Sequence, residues 1–250
     1  MLRSRIIPCL LMQDGGLVKT RQFKDPKYVG DPLNAVKIFN EKEVDELMFV
    51  DIDASAQGRG PNLALLKSLA VESRMPLCYG GGVDSATLAA QIIALGFEKV
   101  SVSAAALARP ALIREMAEAV GRQSVVVTLD VRKNKLLPGY TVYTLNGREK
   151  SKVNLIDFCK QAAELGAGEI VINSIDRDGE MGGYDLDLAK SVRNAVSIPL
   201  TSLGGAGTAA HMQELIDTVG LVGAAAGSMF VFKGPYRAVL INYARPSRLR

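Results

Sequence analysis

The chain has 250 residues, of which 48% are hydrophobic and 22% charged, a composition that allows a large core and argues against wholesale disorder. A formal net charge of +4, scattered basic residues and only 6% aromatics argue against nucleic-acid binding and favour phosphorylated small-molecule ligands. The three cysteines form no CxxC pair, and neither a signal peptide nor a membrane-spanning run is recognised, so a cytoplasmic protein is expected.

Short runs rich in Val and Ile alternate with stretches of helical periodicity along the chain. Strands are predicted at 5–11, 46–52, 76–80, 99–103, 124–130, 169–175, 199–203 and 221–226. Helices are predicted at 31–43, 61–73, 85–95, 109–120, 154–165, 185–196, 208–217 and 233–244. Eight such units predict an α/β fold, a single (β/α)₈ barrel over residues 1–250, in preference to an open doubly wound sheet. No GxGxxG follows the first strand, which counts against a dinucleotide-binding fold.

The two halves of the chain repeat each other. MPLCYGGGVDS at 75–85 aligns with IPLTSLGGAGT at 198–208 at an offset of 123, which also carries Asp53 onto Asp176. The first strand, IIPCLL, aligns with VVVTLD at 125–130 at an offset of 119. Two duplicated half-barrels, about 1–120 and 121–250, are therefore predicted, and Leu11 falls on the position of Asp130.

Carboxylates at strand ends are the candidate acid–base groups. The only histidine, His211, lies in a predicted helix, away from any strand end. Catalysis through a Ser-His-Asp or Cys-His arrangement is therefore not expected, and a metal site with several histidines is excluded. No cofactor or metal is expected. Asp130 ends an apolar strand, where burial can raise its pKa, and it is predicted to be catalytic. The other strand-end carboxylates are Asp51, Asp53, Asp176 and Asp178, and the first two fit the capping of backbone amides equally well.

Two glycine pairs follow predicted strands and indicate phosphate loops, because glycine lets backbone amides approach an anion beside a helix start. They are Gly81-Gly82 and Gly204-Gly205, and AAAGS at 224–228 is expected to complete the second site. Two phosphate sites predict a bisphosphate-type ligand, whereas the alternative is that the glycines serve only tight turns.

Two excursions leave the regular alternation of strands and helices. The long segment 12–30 is predicted to be a lid loop whose Lys19 closes over a phosphate, the alternative being a solvated surface charge. Residues 131–152 contain the turn dipeptide Asn146-Gly147 and predict a hairpin, for which no role is assigned.

Four charged residues stand at the starts of predicted strands, where inward-pointing apolar residues are expected. They are Arg5, Glu46, Lys99 and Glu169, and their balance predicts a ring of salt bridges across the barrel floor. Such a ring has two interpretations, a structural plug or the gate of a channel through the barrel.

These residues, in order along the chain, resemble the cyclase subunit of imidazole glycerol phosphate synthase. The matching motifs include RIIPCL, DIDAS, the GGG loop, KVS, ELGAGEI, SIDRDG and GGAG, and they cover essentially the whole chain. In that family a glutaminase subunit binds the N-terminal barrel face, and ammonia passes through the barrel to an open-chain bisphosphate nucleotide. The products are imidazole glycerol phosphate and an aminoimidazole carboxamide ribotide.

The resemblance implies roles for individual residues. It implies a catalytic Asp130 and an ammonia gate formed by Arg5, Glu46, Lys99 and Glu169. The phosphate- and substrate-binding residues that it implies are Lys19, Gly81, Gly82, Ser103, Asp178, Gly204, Gly205, Gly227 and Ser228.

The mouth departs from the pattern of the family. Its second catalytic aspartate is replaced by Leu11, and further departures are Ser103, Asn173, Leu203, Cys78 and Tyr79. Loss of an acid–base group lowers a rate by a factor of about 10² to 10⁴. Residues 10–47 resemble instead the paralogues found with bacterial surface-polysaccharide genes, which work with a glutaminase-like subunit and a sugar amidotransferase. A barrel that conveys ammonia for sugar amidination is expected, and the alternative is the true cyclase of histidine biosynthesis.

Overall fold

Parallel strands close on themselves into an eight-stranded barrel in the computed structural model, which describes residues 3–135 and 137–246. The strands are β1 Arg5–Gln13, β2 Gly16–Arg21, β3 Lys24–Gly30, β4 Leu47–Asp51, β5 Leu77–Gly80, β6 Lys99–Val102, β7 Val125–Lys133, β8 Tyr140–Thr144, β9 Glu149–Asn154, β10 Glu169–Ser174, β11 Leu200–Leu203, β12 Gly223–Ala226, β13 Phe232–Lys233 and β14 Ala238–Val239. Around the barrel the order is β1-β4-β5-β6-β7-β10-β11-β12, and β12 pairs with β1. The predicted (β/α)₈ barrel is confirmed.

Helices follow the barrel strands and cover the outside. They are α1 Pro32–Glu41, α2 Leu63–Glu72, α3 Ala86–Ala94, α4 Ala104–Ala108, α5 Ala111–Val120, α6 Leu155–Leu165, α7 Leu186–Ala195, α8 Ala209–Val219 and α9 Ser228–Val231. Short polar side chains at the N-caps accept hydrogen bonds from first-turn amides: Asp31, Asn62, Ser85, Asn154, Asp185 and Thr208. The first seven predicted helices are therefore confirmed. Within the described part of the chain, no helix combines the length and apolarity needed to cross a bilayer.

The eighth predicted helix, 233–244, is wrong. After α9 the chain forms the hairpin β13–β14, with Gly234 at a φ of +72° and Pro235 in the turn. Proline and a left-handed glycine both interrupt a helix, so this segment does not form one despite its helical spacing of apolar residues. Residues 240–246 that follow form no helix or strand, and the backbone amide of Asn242 donates to the carbonyl of Phe230 at 2.9 Å.

The predicted lid loop at 12–30 is an antiparallel ribbon rather than a loop. β1 runs beyond the barrel wall, and β2 and β3 fold back beside it. The same arrangement recurs in the second half, where β7 continues into β8 and β9, as the predicted hairpin at 131–152 requires. Asn146 and Gly147, at φ of 58° and 72°, lie in the second turn. Residue 136 of this excursion lies outside the described residues.

Corresponding contacts tie the two ribbons to the barrel. Gln13 Nε2 donates to Asp53 Oδ2 at 2.9 Å, and Arg132 Nη1 lies 3.5 Å from Asp176 Oδ1. The two pairs are related by the sequence offsets of 119 and 123 that relate the halves of the chain. This repeated contact supports the duplicated half-barrels, which stay a prediction.

Alternation along the barrel strands separates an inner from an outer set of side chains. The outer set packs beneath the helices in the larger core. The inner set forms an apolar cluster on the barrel axis, with members Ile7, Cys9, Met48, Cys78, Val126, Val171 and Ala225. All three cysteines are buried and free, as the sequence indicates.

The C-terminal segment 233–246 covers the barrel where the eighth helix was expected. The ring of Tyr243 lies 5.4 Å from that of Phe230, and its hydroxyl donates to the carbonyl of Ile6 at 3.1 Å. Ile241 and Tyr243 both pack against the core. This segment therefore contributes apolar burial that a helix would otherwise supply.

We expect Tyr243→Ala to lower the free energy of unfolding by about 2 to 3 kcal/mol, because it removes a packed ring and leaves a cavity. The matched control is Tyr236→Ala, since Tyr236 lies in the same segment and is 93% exposed. The control is expected to change stability by less than about 0.5 kcal/mol. Urea unfolding followed by circular dichroism measures both, and equal effects would contradict the covering role of the segment.

Candidate functional site

The four charged floor residues form a closed ring of salt bridges. Arg5 bridges Glu46 and Glu169, the latter at 2.7 Å, and Lys99 contacts the same two carboxylates at 2.8 and 2.9 Å. Thr201 Oγ1 also donates to Glu169 Oε1 at 2.5 Å. Arg5, Lys99 and Glu169 begin β1, β6 and β10, and Glu46 directly precedes β4, so the ring spans the barrel interior. The predicted ring of paired charges is thus present at the floor.

Burial and charge act in opposite directions on this ring. Burial by itself would raise the pKa of Glu169, but Lys99 and Arg5 outweigh it and lower that pKa to about 2. Burial likewise disfavours the charged forms of Lys99 and Arg5, yet the facing glutamates raise both pKa values. These three groups therefore keep their charges across the physiological pH range.

Above the ring lies the apolar inner cluster, and the hydroxyls of Ser101 and Thr128 interrupt it on one side. Three half-buried side chains, Leu11, Val50 and Leu203, pack against the inner cluster and line the cavity at the C-terminal strand ends, here called the mouth cavity. Leu11 shares the inward face of β1 with Ile7 and Cys9. The position where the resemblance implies a second catalytic carboxylate therefore faces the cavity with an isobutyl group.

Every residue predicted to bind phosphate or substrate lines the same mouth cavity. These residues are Lys19, Gly81, Gly82, Ser103, Asp178, Gly204, Gly205, Gly227 and Ser228. They come from loops after different strands, which meet because parallel strands end on one side of the barrel. The arrangement supports one ligand site, while the role of each residue stays a prediction.

Asp130 lies at the inner end of the mouth cavity. Its Oδ1 accepts a hydrogen bond of 2.9 Å from Asn173 Nδ2. Removal from water raises the pKa of Asp130 to about 6; the hydrogen bond from Asn173 opposes this rise, and the charge of Asp178 adds to it. A carboxyl group that titrates near pH 6 can take up or release a proton close to neutrality, which suits acid–base chemistry.

The other strand-end carboxylates hold structure together. Asp51 receives both terminal nitrogens of Arg59, at 2.8 and 2.9 Å, and accepts the amide of Ala54 at 3.1 Å. Asp53 and Asp176 anchor the two ribbons through the contacts described above. Asp51 therefore accepts backbone amides as the capping interpretation expects, whereas Asp53 accepts from the side chain of Gln13.

Lys19 is buried, so the interpretation as a solvated surface charge is wrong. Its Nζ donates to Asp178 Oδ1 at 2.5 Å and to the carbonyl of Thr20 at 2.8 Å. Asp178 Oδ2 also accepts from Thr20 Oγ1, at 2.8 Å, and from the amide of Phe23, at 3.2 Å. Asp178 thus anchors the first ribbon over the mouth, and a phosphate bound there would meet a lysine that is already paired.

The two glycine pairs allow a close approach of neighbouring backbones. A Cβ at Gly81, whose φ is +124°, would lie 2.5 Å from the carbonyl oxygen of Asp51. A Cβ at Gly204, whose φ is +95°, would lie 2.6 Å from that of Ser174. The turn interpretation of these glycines therefore has direct support, and it is compatible with a phosphate role because the same residues line the cavity.

Two serines lie beside the starts of short helices at the mouth. Ser103 precedes α4, and Ser228 begins α9 directly after Gly227. The hydroxyl of Ser228 is buried and has no hydrogen-bond partner among the described residues. A ligand oxygen would satisfy this hydroxyl, which supports the predicted assignment.

Sequence analysis did not single out three residues of this site for a role. Thr201 supports the floor ring, Arg59 clamps Asp51, and Asn173, noted only as a departure, contacts Asp130. Thr201 and Asn173 occupy inward-facing positions in the alternation of their strands, so the sequence did contain a signal for them. The Arg59 contact leaves no periodic signal, because it depends on the path of a loop.

Comparison with known proteins decides the family. A family model described as "Histidine biosynthesis protein" matches residues 5–236. A protein of Lysinibacillus sphaericus named imidazole glycerol phosphate synthase subunit HisF is 40% identical over 246 residues, 98% of this chain and 97% of the relative. The chain belongs to the HisF family. The resemblance stated from the sequence is confirmed at this level.

This HisF-family chain is more similar to relatives whose names are provisional. A Vibrio vulnificus protein provisionally named imidazole glycerol phosphate synthase subunit hisF3 is 56% identical over 247 residues, 99% of this chain and 95% of the relative. A Pseudomonas aeruginosa protein provisionally named subunit hisF2 is 47% identical over 249 residues, 100% of this chain and 99% of the relative. The chain thus stands nearer to these two than to the L. sphaericus protein.

For the floor ring, we expect Glu169→Gln to lower the free energy of unfolding at pH 7 by about 3 kcal/mol, because two partly buried cations lose the charge of a buried carboxylate. Glu115→Gln, which removes an exposed pair with Arg109, is expected to cost less than about 1 kcal/mol. Since the pKa of Glu169 is lowered from 4.5 to about 2, the wild-type advantage should shrink as pH falls below 4.5. Chemical unfolding between pH 2 and 7 measures these differences, and equal losses in the two variants would refute the buried ring.

At the mouth, we expect Asp130→Asn to stabilise the protein above pH 6 by about 2 kcal/mol relative to wild type. The folded wild type holds a proton on Asp130 that the unfolded chain releases, because its pKa is raised from 3.8 to about 6. The stability of the wild type therefore falls as the pH rises from 3.8 to about 6, whereas the Asp130→Asn variant has no carboxyl group to titrate there and keeps its stability. Exposed Asp25→Asn is the control, and unfolding midpoints from pH 4 to 8 that run parallel for both variants would contradict the raised pKa.

Proposed function

We propose that this HisF-family chain accepts ammonia from a glutaminase subunit and conducts it through the barrel to a mouth that no longer closes an imidazole ring. The ammonia would serve the amidination of a surface-polysaccharide sugar, in concert with a sugar amidotransferase. The proposal keeps the delivery half of the synthase reaction and changes the acceptor.

The barrel interior supports the delivery step. The ring of Arg5, Glu46, Lys99 and Glu169 stands at one end and the apolar inner cluster lies above it. An apolar interior disfavours ions, since a charge transferred from water into a low dielectric is strongly penalised, and it leaves neutral ammonia as the favoured species. The Arg5 side chain is 27% exposed, so a partner bound below the floor could reach the ring.

The observation that carries the proposal is the asymmetry of the mouth. β1 and β7 stand four strands apart in an eight-stranded barrel, and they face each other across it. β7 presents Asp130 with a raised pKa, whereas β1 presents Leu11 to the same cavity. The resemblance implies a catalytic carboxylate on each of these strands, and a hydrocarbon side chain can neither give nor take a proton.

The comparisons are compatible with this proposal and with its alternative. The names of the relatives at 47 and 56% identity are provisional and fit either a paralogue or the cyclase itself. The lower identity of 40% to a protein plainly named HisF favours the paralogue. The choice between the paralogue and the cyclase therefore rests on the residues of the mouth.

The partners follow from the two ends of the barrel. A glutaminase subunit would bind the N-terminal face, beside the ring that Arg5 and Lys99 complete. A phosphorylated small molecule would occupy the mouth, where the two glycine pairs line the wall and the hydroxyl of Ser228 has no partner among the residues that the structure describes. The sugar amidotransferase would take the ammonia at that end.

The alternative is the true cyclase of histidine biosynthesis, with Asp130 as its acid–base group and Lys19 on a ligand phosphate. The ring of paired charges at the floor and the presence of Asp130 in a cavity favour it. The absence of a carboxylate at Leu11 counts against it, because one acid–base group is worth a factor of about 10² to 10⁴ in rate.

Rescue of a bacterial histidine auxotroph that lacks its cyclase subunit tests the proposal. The wild-type gene is expected to give no growth without histidine, whereas Leu11→Asp is expected to give ammonium-dependent growth, because it supplies the missing carboxylate. Leu11→Asn, which matches the size and polarity of aspartate without its charge, is the control and should not rescue.

Growth at a normal rate with the wild-type gene would overturn the proposal in favour of the cyclase. Failure of Leu11→Asp, with soluble protein of normal stability, would show that position 11 is not sufficient and would shift the cause to Ser103, Asn173 or Leu203.

A further inference from the structure

Three segments border the opening of the mouth cavity and are here called the rim: the first ribbon 16–30, the second ribbon 131–152 and the hairpin segment 232–240. Phe23 of the first ribbon and Leu145 of the second line the cavity itself. The hairpin reaches the same opening, because Arg237 donates to the carbonyl of Gly179, another residue of the cavity lining. The rim is therefore continuous with the mouth.

Positive charge is concentrated on the rim. Its three segments contain twelve of the 30 Lys and Arg of the chain and only two of the 26 Asp and Glu, which leaves 18 basic and 24 acidic residues elsewhere. Lys24, Lys150 and Lys233 are exposed and form no salt bridge with any residue that the structure describes. A face of one sign attracts a partner of the opposite sign and steers its approach.

Exposed apolar side chains are concentrated on the rim as well. Seven large hydrophobic residues are exposed among those described, and five of them belong to the rim: Tyr28, Leu137, Tyr236, Val239 and Leu240. Tyrosine is enriched at protein interfaces because its ring buries a large apolar area. Nucleic acids instead bind to cations and to flat aromatic surfaces, and the aliphatic side chains of this set cannot stack on bases. The composition of the rim therefore favours a folded protein with an acidic surface.

The hairpin is fixed to the first ribbon by contacts around the buried ring of Phe232. Lys27 Nζ lies 5.3 Å from the centroid of this ring, and the guanidinium carbon of Arg237 lies 5.2 Å from it. Lys27 Nζ also donates to the carbonyl of Arg237 at 3.2 Å. Tyr236, in the turn of the hairpin, is therefore presented on a supported surface, which reduces the freedom that binding would remove.

Delivery of ammonia at the mouth gives a reason for a protein to cover this opening. Ammonia released into water takes up a proton and loses the lone pair with which it attacks an acceptor. Closure of a reaction site against water prevents such a side reaction. An enzyme seated on the rim would receive the ammonia before the ammonia meets the solvent.

We propose that the rim is the docking surface for the enzyme that consumes the ammonia, and that this enzyme presents an acidic face to it. The inference rests on the proposed function, which names a sugar amidotransferase as that enzyme. Tyr236 supplies apolar contact, and Lys24 and Lys233 supply the electrostatic attraction. Lys27 and Arg237 position the hairpin through the Phe232 ring.

The test is calorimetric titration of the purified sugar amidotransferase into the full chain bound to its glutaminase subunit, at low and at physiological ionic strength. In the wild type we expect binding that weakens as salt rises, because exposed charges are screened. The double variant Lys24→Glu/Lys233→Glu is expected to raise the Kd about 10-fold at low salt and to reduce the dependence on salt, because it places like charges opposite each other. Lys67→Glu/Lys190→Glu makes the same change of charge on exposed positions of α2 and α7 and should bind as the wild type does.

Tyr236→Ala tests the apolar part of the surface. It is expected to raise the Kd about 10-fold at both salt concentrations, because aromatic side chains carry much of the affinity of protein interfaces. Val71→Ala, at an exposed position of α2, is the control and should leave the Kd unchanged. Unfolding midpoints equal to that of the wild type would show that neither variant acts through stability.

Absence of binding to the wild type would overturn the docking surface, and so would rim variants that bind as tightly as their controls. A DNA duplex that binds as tightly as the amidotransferase, with the same losses in the rim variants, would overturn it in favour of a nucleic acid.

Auxotroph rescue reports on the chemistry of the mouth, so the two proposals can fail separately. No rescue together with no binding would refute the docking surface alone. Rescue by the wild type together with binding that depends on the rim would refute the proposed acceptor and support the docking surface.

Discussion

The ring of opposite charges at the barrel floor is the constraint on which the remaining structure depends. Arg5, Glu46, Lys99 and Glu169 come from four strands, and each cation contacts both carboxylates. A shift of one residue in any of these strands would turn its charge outward, under the helices, and would leave the others unpaired. The ring therefore fixes strand register, and this register sets which side chains line the interior and the mouth.

Above the ring, the two halves of the barrel repeat their scaffold but not their chemistry. Both halves extend one strand into a ribbon, and both use a glycine to let a loop approach the preceding strand. The halves differ where Leu11 and Asp130 occupy equivalent places. A scaffold of this kind can lose one catalytic group without losing its fold, because the side chain at a strand end adds little to the packing of the barrel wall.

Elements whose pattern is local were predictable, and those set by distant contacts were not. Strands and capped helices were found because alternation, periodicity and polar N-caps act within a few residues. Residues 233–244 have helical spacing, yet they form part of a hairpin followed by irregular chain, because a Gly-Pro turn intervenes and Tyr243 reaches the barrel wall. The 12–30 segment looked like a loop because a polar ribbon has little apolar alternation, and its pairing with β1 is invisible in local composition.

The sequence by itself determined the barrel and the four floor charges, since these can be read from residue type and spacing, and its resemblance to a known family pointed to the leucine at position 11, where that family implies a carboxylate. Only the tertiary structure decided which carboxylates form salt bridges and which line the mouth cavity. Asp178 is paired with Lys19 from 159 residues away, whereas Asp130 is paired with an amide and keeps a raised pKa. Such partners are joined by chain folding and burial, and no periodicity along the sequence encodes them.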